Sequence, residues 1–478
     1  MIPDAFSCPE PLRTDGKIGL KLKVLTPQPG PTAAPLRVKG RGSRDGAFDN
    51  GYANVRAIDG ERESSTRTKD DDDDSIARVV STVQSCQEGT SPTKINGMKG
   101  MLMSGRGGLV ASLLFLTNAL TGAPLFEQTD VFVSGREGYF AYRIPAIGTA
   151  PDGSLLAFAE ARKYGLGDPG FGKQDIDLVM KRSTDNGRRW SSMSLIEDPG
   201  ERWSAANPVT LVDRETKRVW LFYLRCKPGR NTYTARAGTD DNQILARTSD
   251  DSGVTWSAPT DLTGVTRDMT DPKWRSSVAG PGGGIQTRDG HLVIPVWKFE
   301  PWGVFAVVSQ DHGRTWQRGE MVPTVSGDEC QLVELNDGSL LFDIRQQHGP
   351  HRWRAMSRDS GKTWSKPRAG ESVSAVACAI ERFSLKAAGD ERDWLLWTGP
   401  KGPERSNLVV RVSEDEGVTF PHERPVWSGP AAYSDLTILK DKTAGVLWER
   451  GTNTPYEFIS FTRFDSEWLK EVPRSTPK

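Results

Sequence analysis

The chain has 478 residues, of which 62 are basic and 62 acidic, so it has no net charge to draw it to nucleic acid or to an anionic membrane. Its five histidines and five cysteines form no HExxH or CxxC motif and predict neither a metal site nor a metal cofactor. The 49 glycines, 31 prolines and 15 tryptophans favour a turn-rich all-β protein over a helical one.

Residues 1–97 are rich in Gly, Pro, Ser, Arg and Asp, contain an acidic run at 70–74, and show neither helical nor strand periodicity. Such a composition buries too little apolar surface to offset the entropy lost on ordering the chain. We therefore predict that this segment is disordered, or that it is an extension placed ahead of the true start of translation.

Residues 98–123 have the order of a secretory signal peptide. A basic start at 98–101 is followed by an apolar run at 109–116 and then by small residues up to Ala123. The apolar run is shorter than the roughly 20 residues that a membrane-spanning helix needs. If translation starts near Met98 or Met101, we expect a secreted or periplasmic protein. The alternative is an internal helix or loop packed on the domain that follows.

The next informative segment is Ala-Tyr-Arg-Ile-Pro-Ala at 141–146, which places Arg143 in a short β-like run. Pro145 restricts Ile144 to extended conformations, so we expect a stiff strand to direct the Arg143 side chain. A guanidinium held in this way can bind a carboxylate or phosphate through two parallel hydrogen bonds. Taken alone, an arginine on a strand is more often an exposed charge.

From residue 131 onward, short β-like runs alternate with turns, and a motif of the form Ser-x-Asp-x-Gly-x-Thr-Trp recurs. Its aspartate can hydrogen-bond its own turn, its glycine supplies a positive φ, and its aromatic residue anchors the hairpin to the sheet. The spacing of about 50 to 65 residues is typical of propeller blades and predicts a six-bladed β-propeller whose closing blade is shared by the two chain ends. We call these motifs Asp boxes and predict a structural role away from any active site. The five copies are 183–190, 249–256, 309–316, 357–364 and 413–420.

The Tyr-Arg-Ile-Pro run at 142–145 and the five Asp boxes together resemble the exo-α-sialidase (neuraminidase) family, over about residues 128–470. The resemblance implies a sialidase propeller at 124–470, followed by a tail at 471–478. It also implies an arginine triad, a Tyr/Glu nucleophile pair and an Asp acid/base at the mouth of the central channel.

The resemblance identifies three arginines that would bind the carboxylate of a sialic acid. Arg143 matches the first, Arg345 in Leu-Leu-Phe-Asp-Ile-Arg the second, and Arg405 the third, while Glu449 would brace Arg143. Several charge-assisted donors on one carboxylate outweigh a single surface pair, which explains how a chain of zero net charge could select an anion.

The resemblance places the catalytic acid/base on the loop that follows the strand containing Glu160 and Arg162, two residues expected to line the pocket. We assign this role to Asp168. The loop is longer than is usual in the family because of residues 169–174, which leaves Asp175 as an alternative.

Tyr433, in Ala-Tyr-Ser-Asp-Leu, matches the nucleophile of the family, and Glu329, in Gly-Asp-Glu-Cys, matches its partner. Most glycosidases attack with a carboxylate, but a sialic acid already carries a negative group on the reacting carbon. A neutral tyrosine avoids that repulsion. Because free tyrosine titrates near pH 10, it needs an adjacent base, the role expected of Glu329.

Two other kinds of function fit parts of this pattern. A lectin or scaffold could use the same Asp boxes, but it would not need the complete set of Tyr433, Glu329 and three arginines. A related enzyme could act on another nonulosonic acid or transfer the sugar to a second acceptor. The candidates for that specificity, each more ordinarily a core or rim residue, are Trp203, Asn207, Trp274 and Trp302.

The remaining expectations concern partners and cysteines. We expect a monomer that acts on sialylated glycans without a cofactor and binds neither nucleic acid nor a membrane. Cys226, Cys330 and Cys378 allow a single disulfide among them.

If translation starts near Met98, N-terminal sequencing of the exported protein will begin close to Pro124, because signal peptides are removed on export. Recovery of any part of residues 1–97 in that product would contradict this start.

Overall fold

The computed structural model describes residues 123–323, 326–347 and 349–470. The predictions of a disordered segment at 1–97 and of a tail at 471–478 lie outside the described residues, as does the predicted signal-peptide-like segment at 98–123 except for its last residue. No helix in the described ranges is long and apolar enough to cross a membrane.

The described chain is almost entirely antiparallel β-structure, arranged in six four-stranded blades as predicted. The first strand and the first two blades are β1 (Phe126–Val133), β2 (Ala141–Thr149), β3 (Leu155–Arg162), β4 (Ile176–Ser183), β5 (Ser194–Glu197), β6 (Ser204–Asp213), β7 (Arg218–Cys226), β8 (Asn242–Ser249) and β9 (Thr260–Asp261). The short helix α1 (Thr263–Thr266) precedes the third and fourth blades. The strands in this part of the chain are β10 (Ser276–Ala279), β11 (Gly282–Gly283), β12 (Ile285–Gln286), β13 (Leu292–Phe299), β14 (Gly303–Ser309), β15 (Gln317–Arg318), β16 (Gly327–Glu334), β17 (Leu340–Gln346), β18 (Trp353–Ser357) and β19 (Arg368–Ala369). The last two blades contain β20 (Ala379–Ser384), a 3₁₀ turn (Lys386–Ala388), β21 (Trp394–Pro400), β22 (Ser406–Ser413), β23 (His422–Ile438), β24 (Ala444–Arg450), β25 (Phe458–Phe464) and α2 (Ser466–Lys470).

The last blade is shared between the two ends of the described chain, as the sequence predicted. Its strands are the second half of β23, then β24 and β25, and finally β1, which pairs antiparallel with β25. The first half of β23 pairs with β22 and completes the fifth blade. The inner strand β2 contacts both β6 of the second blade and β23 of the last.

Each Asp box connects the third and fourth strands of a blade, and in every box the serine hydroxyl donates to the aspartate and accepts from the glycine amide. In the box at 309–316, the Ser309 hydroxyl donates to Asp311 at 2.8 Å and accepts from the Gly313 amide at 2.7 Å. Asp311 also accepts from the Thr315 amide and hydroxyl. The φ of Gly313 is 82°, a conformation that favours glycine. The connections of a blade alternate between its two ends, so the boxes lie opposite the loop at 163–175, as predicted for structural elements.

Four inner strands contain a β-bulge near the end of the blade that carries this loop. A bulge sets two residues against one on the neighbouring strand and redirects their side chains, and bulges are common beside active sites. The bulges lie between Arg143 and Ala146 in β2, Ala206 and Val209 in β6, Gly327 and Cys330 in β16, and Ala431 and Ser434 in β23.

The bulge in β2 corrects one sequence expectation. Pro145 was expected to keep Ile144 extended, whereas Ile144 has a φ of 57°, a rare conformation for a β-branched residue. Its amide donates to the Glu449 carboxylate at 2.9 Å, so a long-range contact overrides the local preference.

The core consists of apolar clusters between and within neighbouring blades, such as the one that contains Trp297, Phe342 and Ile344. The cysteines Cys226, Cys330 and Cys378 are buried free thiols, so the disulfide that the sequence allowed among them does not form.

Candidate active site

A cavity of about 200 Å³ opens at the bulged end of the blades and is lined by residues from all six of them. The inner strands converge there, and their bulges bring residues that are distant in sequence into one cavity. The predicted residues that line it are Arg143, Glu160, Arg162, Asp168, Glu329, Arg345, Arg405 and Tyr433. Glu449, the remaining predicted residue, lies behind Arg143.

Glu449 is fully buried and binds both the guanidinium of Arg143 and the backbone around it. Arg143 donates from Nε to Oε1 at 2.7 Å and from Nη2 to Oε2 at 3.3 Å. The amides of Ile144 and Tyr433 donate to the same carboxylate at 2.9 and 3.1 Å. Burial alone would lower the pKa of Arg143, but the Glu449 carboxylate overcomes this effect and raises it. Arg143 is therefore permanently charged, and Glu449 holds its guanidinium in place.

The Tyr433 hydroxyl lies between a carboxylate and a guanidinium. It is 2.7 and 2.9 Å from the two oxygens of Glu329 and accepts a hydrogen bond from Arg345 Nη1 at 2.9 Å. The same Arg345 nitrogen also donates to Glu329. Burial raises the pKa of Tyr433 well above its usual range, against the opposing effect of Arg345. The phenol is thus neutral, with a proton acceptor already in contact.

Arg405 is held differently from the other two triad arginines. It donates from Nη1 to the Tyr456 hydroxyl at 2.7 Å, and no carboxylate in the described ranges forms an ion pair with it. The Tyr456 ring also lies 4.2 Å from the Arg143 guanidinium carbon. Arg143 and Arg405 lie 5.3 and 5.5 Å from the Tyr433 ring, so the arginines surround the phenol.

Arg162 fixes the loop that contains Asp168. Its fully buried guanidinium donates to the Glu160 carboxylate, to the carbonyls of Leu166 and Gly167, and to Asp168 Oδ1 at 3.3 Å. The Asp168 side chain is 67% exposed, at the mouth of the cavity. Burial raises the pKa of Glu160, although Arg162 opposes this effect.

The alternative residue on this loop, Asp175, does not line the cavity. It is buried, pairs with Lys163 at 2.8 Å and accepts a hydrogen bond from the Arg202 amide at 2.9 Å. These contacts fit a structural carboxylate that holds the base of the loop, and of the two aspartates only Asp168 lines the cavity.

Sequence reasoning missed Tyr456 and Asp328. Tyr456 lies in the connection between β24 and β25, where no motif marks it. Asp328 directly precedes Glu329, and in a regular strand consecutive side chains face opposite sides of the sheet. The bulge between Gly327 and Cys330 instead brings Asp328 to the cavity, a feature without a sequence signal.

One wall of the cavity is apolar and comes from the second and third blades. Of the four specificity candidates, Asn207 and Trp302 line the cavity. Trp203 instead lies beneath Arg225, and Trp274 is buried in a core cluster. The residues of this wall are Leu224, Cys226, Val278, Trp297 and Trp302.

Among the described residues, no group of three or more His, Cys, Asp or Glu side chains is arranged to hold a metal ion. The chemistry that this site can perform with its own side chains is acid–base and nucleophilic, and the arginines can bind an anion.

Residues 153–446 match the family model described as a BNR repeat-like domain, which defines a class of proteins that contain such repeats. A sialidase of Micromonospora viridifaciens is 35% identical over 372 residues, which are 73% of this chain and 55% of the relative. A sialidase of Paraclostridium sordellii is 30% identical over 74% of this chain and 91% of the relative. Among solved structures, the Hadza microbial sialidase Hz136 aligns with a TM-score of 0.65 at 26% identity, over 71% of this chain and 68% of that one.

These similarities agree with the geometry of the cavity. The chain belongs to the sialidase family. It spans about half the length of the Micromonospora relative and nearly the whole length of the Paraclostridium one.

The buried contacts of Glu449 generate a stability prediction. Glu449→Gln removes the negative charge and leaves Arg143 as an uncompensated buried cation, so we expect the free energy of unfolding to fall by about 3 to 5 kcal/mol. Urea unfolding followed by tryptophan fluorescence measures the change. The control is Glu467→Gln, which removes an exposed pair with Lys470 and should cost about 0 to 1 kcal/mol. Equal losses in the two variants would contradict a special role of Glu449.

Proposed function

We propose that this protein is a retaining exo-α-sialidase that hydrolyses terminal α-linked sialic acids of glycoproteins, glycolipids or oligosaccharides. The observation that carries the proposal is the Tyr433 hydroxyl, hydrogen-bonded to Glu329 and to Arg345 in a cavity that four arginines line.

The arginines suit a substrate that carries a carboxylate. Arg143, Arg345 and Arg405 all line the cavity, and each presents a planar fork that can hold a carboxylate with two hydrogen bonds. Arg405, which has no carboxylate partner among the described residues, contributes a positive charge that the protein does not neutralise. The apolar wall opposite suits the methyl of an N-acyl group, since burial of apolar surface favours binding.

In the first half of the reaction, the glycosidic bond lies between the acid and the nucleophile. Asp168, exposed at the cavity mouth, donates a proton to the leaving oxygen. Tyr433 Oη attacks the anomeric carbon as its proton passes to Glu329 at 2.7 Å, and Arg345 stabilises the oxygen as charge develops on it.

The second half of the reaction reverses these roles. The aglycone leaves, and Asp168 removes a proton from a water molecule that attacks the same carbon. The bond to Tyr433 breaks, and Glu329 returns the proton to the phenolate. Two displacements at one carbon give net retention of configuration.

A tyrosine suits this substrate because the anomeric carbon bears a carboxylate. A carboxylate nucleophile would approach with like charge in a cavity of reduced dielectric, where such repulsion is large. The neutral phenol of Tyr433 avoids this cost and relies on Glu329 for activation. Sialidases with a tyrosine nucleophile are a known exception to two-carboxylate glycosidase chemistry.

We predict that the full chain releases a fluorescent aglycone from an α-linked N-acetylneuraminic acid conjugate, and that Tyr433→Phe lowers kcat/KM by about 10² to 10⁴ because nucleophilic attack is lost. Tyr164→Phe, which removes an exposed hydroxyl on the 163–175 loop, is the matched control and should retain full activity. A Tyr433→Phe variant with more than a tenth of the parent rate would contradict the nucleophile. Binding of the conjugate without release by the folded parent would favour a lectin.

The role of Asp168 is tested by comparing two substrates whose leaving groups differ in their need for protonation. Asp168→Ala should lose far more activity on sialyl-lactose than on the fluorogenic aryl conjugate, because a poor leaving group depends on protonation. Equal losses on both substrates would contradict an acid role for Asp168.

A further inference from the structure

Two carboxylates from consecutive residues face a single arginine in the cavity. In the pairing of β16 with β17, Gly327 lies opposite Gln346 and Cys330 lies opposite Ile344, so Asp328 and Glu329 together face Arg345. A bulge is the backbone feature that allows both side chains to reach the same guanidinium.

The two carboxylates are not equivalent. Glu329 pairs directly with Arg345 Nη1 and also binds the Tyr433 hydroxyl. Asp328 Oδ2 lies 3.7 Å from Arg345 Nε, too far for a hydrogen bond, and accepts one from Gln347 Nε2 at 2.7 Å instead. The contacts of Glu329 suit the proposed base, and those of Asp328 have no part in the reaction described above.

Asp328 is buried and only partly satisfied. Its side chain is 2% exposed, and its Oδ1 has no hydrogen-bond partner, nor does Arg345 Nε. A buried polar atom without a partner is costly, so its presence beside a reactive group suggests a use in function.

The charged and titratable groups that face Asp328 come from three strands or loops. Glu329 and Cys330 adjoin it on β16, Arg345 faces it from β17, and Arg352 approaches from the segment before β18. Burial raises the pKa of Asp328, Arg345 opposes this effect and Glu329 adds to it.

The charge of Asp328 determines how much positive charge Arg345 can offer to a ligand. When Glu329 and Asp328 are both ionised, the single guanidinium of Arg345 faces two negative charges, and its attraction for an incoming carboxylate is cancelled. When Asp328 is protonated, Arg345 keeps only its ion pair with Glu329, and the positive charge of the other arginines determines how the cavity attracts a carboxylate.

We propose that Asp328 is a positioning residue that acts through Arg345, and that its neutral form is the state in which the cavity binds the substrate carboxylate. This inference depends on the proposed function, since it requires a carboxylate at Arg345. Protonation of Asp328 prevails at low pH, so affinity for the anion is highest there and falls as pH rises through the ionisation of Asp328. Linkage is reciprocal, so anion binding near that pH takes up a proton.

The test is the affinity of the full chain for 2-deoxy-2,3-didehydro-N-acetylneuraminic acid, whose carboxylate stays ionised, measured by calorimetry from pH 5.5 to pH 8. We expect the Kd of the parent to increase about tenfold over this range, as for a coupling of one pKa unit. Asp328→Asn, neutral at every pH, should lose most of this dependence and bind more tightly than the parent at pH 8.

Glu381→Gln is the matched control. Glu381 lines a separate cavity of about 550 Å³ that contains no residue of the proposed site, and burial raises its pKa to about 7. The carboxylate of Glu381 therefore titrates within the pH range of the experiment but outside the proposed site, and the Kd of its variant should follow that of the parent at each pH.

Three outcomes would overturn the inference. If Asp328→Asn raises the Kd by the same factor at every pH, the role of Asp328 is merely structural. If the Kd of this variant changes with pH as steeply as that of the parent, another group is the one that titrates. Absence of proton uptake by the parent, measured at pH 7 in buffers of different ionisation enthalpy, would overturn it without any variant. In these three cases the proposed function stands, whereas failure of the folded parent to bind at pH 5.5 would overturn both.

Discussion

The carboxylate of Glu449 connects the first blade to the last and holds the site together. It accepts hydrogen bonds from the Arg143 guanidinium and Ile144 amide on β2, and from the Tyr433 amide on β23. The residues it joins are about 300 positions apart in the chain. A carboxylate with this many donors is satisfied despite complete burial, because each donor replaces a hydrogen bond to water. The same contacts keep Ile144 at a positive φ and fix the direction of the arginine.

The arginines around the cavity differ in how much of their charge the protein neutralises. Arg143 and Arg162 each have a fully buried glutamate as a partner, while Arg405 is bound by the Tyr456 hydroxyl. Arg345 faces two acids and a phenol, so it contacts both the proposed nucleophile, Tyr433, and the proposed base, Glu329. The specificity for an anion that we propose would thus arise from local pairing in a chain whose net charge is zero.

The sequence was sufficient for the fold because the Asp boxes repeat a local hydrogen-bond pattern that needs no long-range contact. Resemblance to a family with the same order of motifs also predicted one site for five residues, and all five line one cavity in the structure: Arg143, Arg345, Arg405, Glu329 and Tyr433. The sequence could not place Asp328 or predict the positive φ of Ile144. Both depend on β-bulges, which arise from pairing between strands and carry no residue pattern of their own.

The different surroundings of Asp168 and Asp175 are visible only in the structure, for a similar reason. Both lie on one loop, and what separates them is that Arg162 holds the first at the cavity mouth while Lys163 holds the second in the base of the loop. Such tertiary contacts are not visible in a single sequence.

The most direct measurement of the central claim is the mass of the protein after reaction with a 2,3-difluorinated sialic acid, whose fluorines slow both displacements and allow a glycosyl-enzyme to accumulate. We predict a mass increase of one glycosyl group, located by peptide mapping at Tyr433. An adduct on a carboxylate side chain would contradict the account, as would the absence of any adduct on protein that still hydrolyses the fluorogenic conjugate.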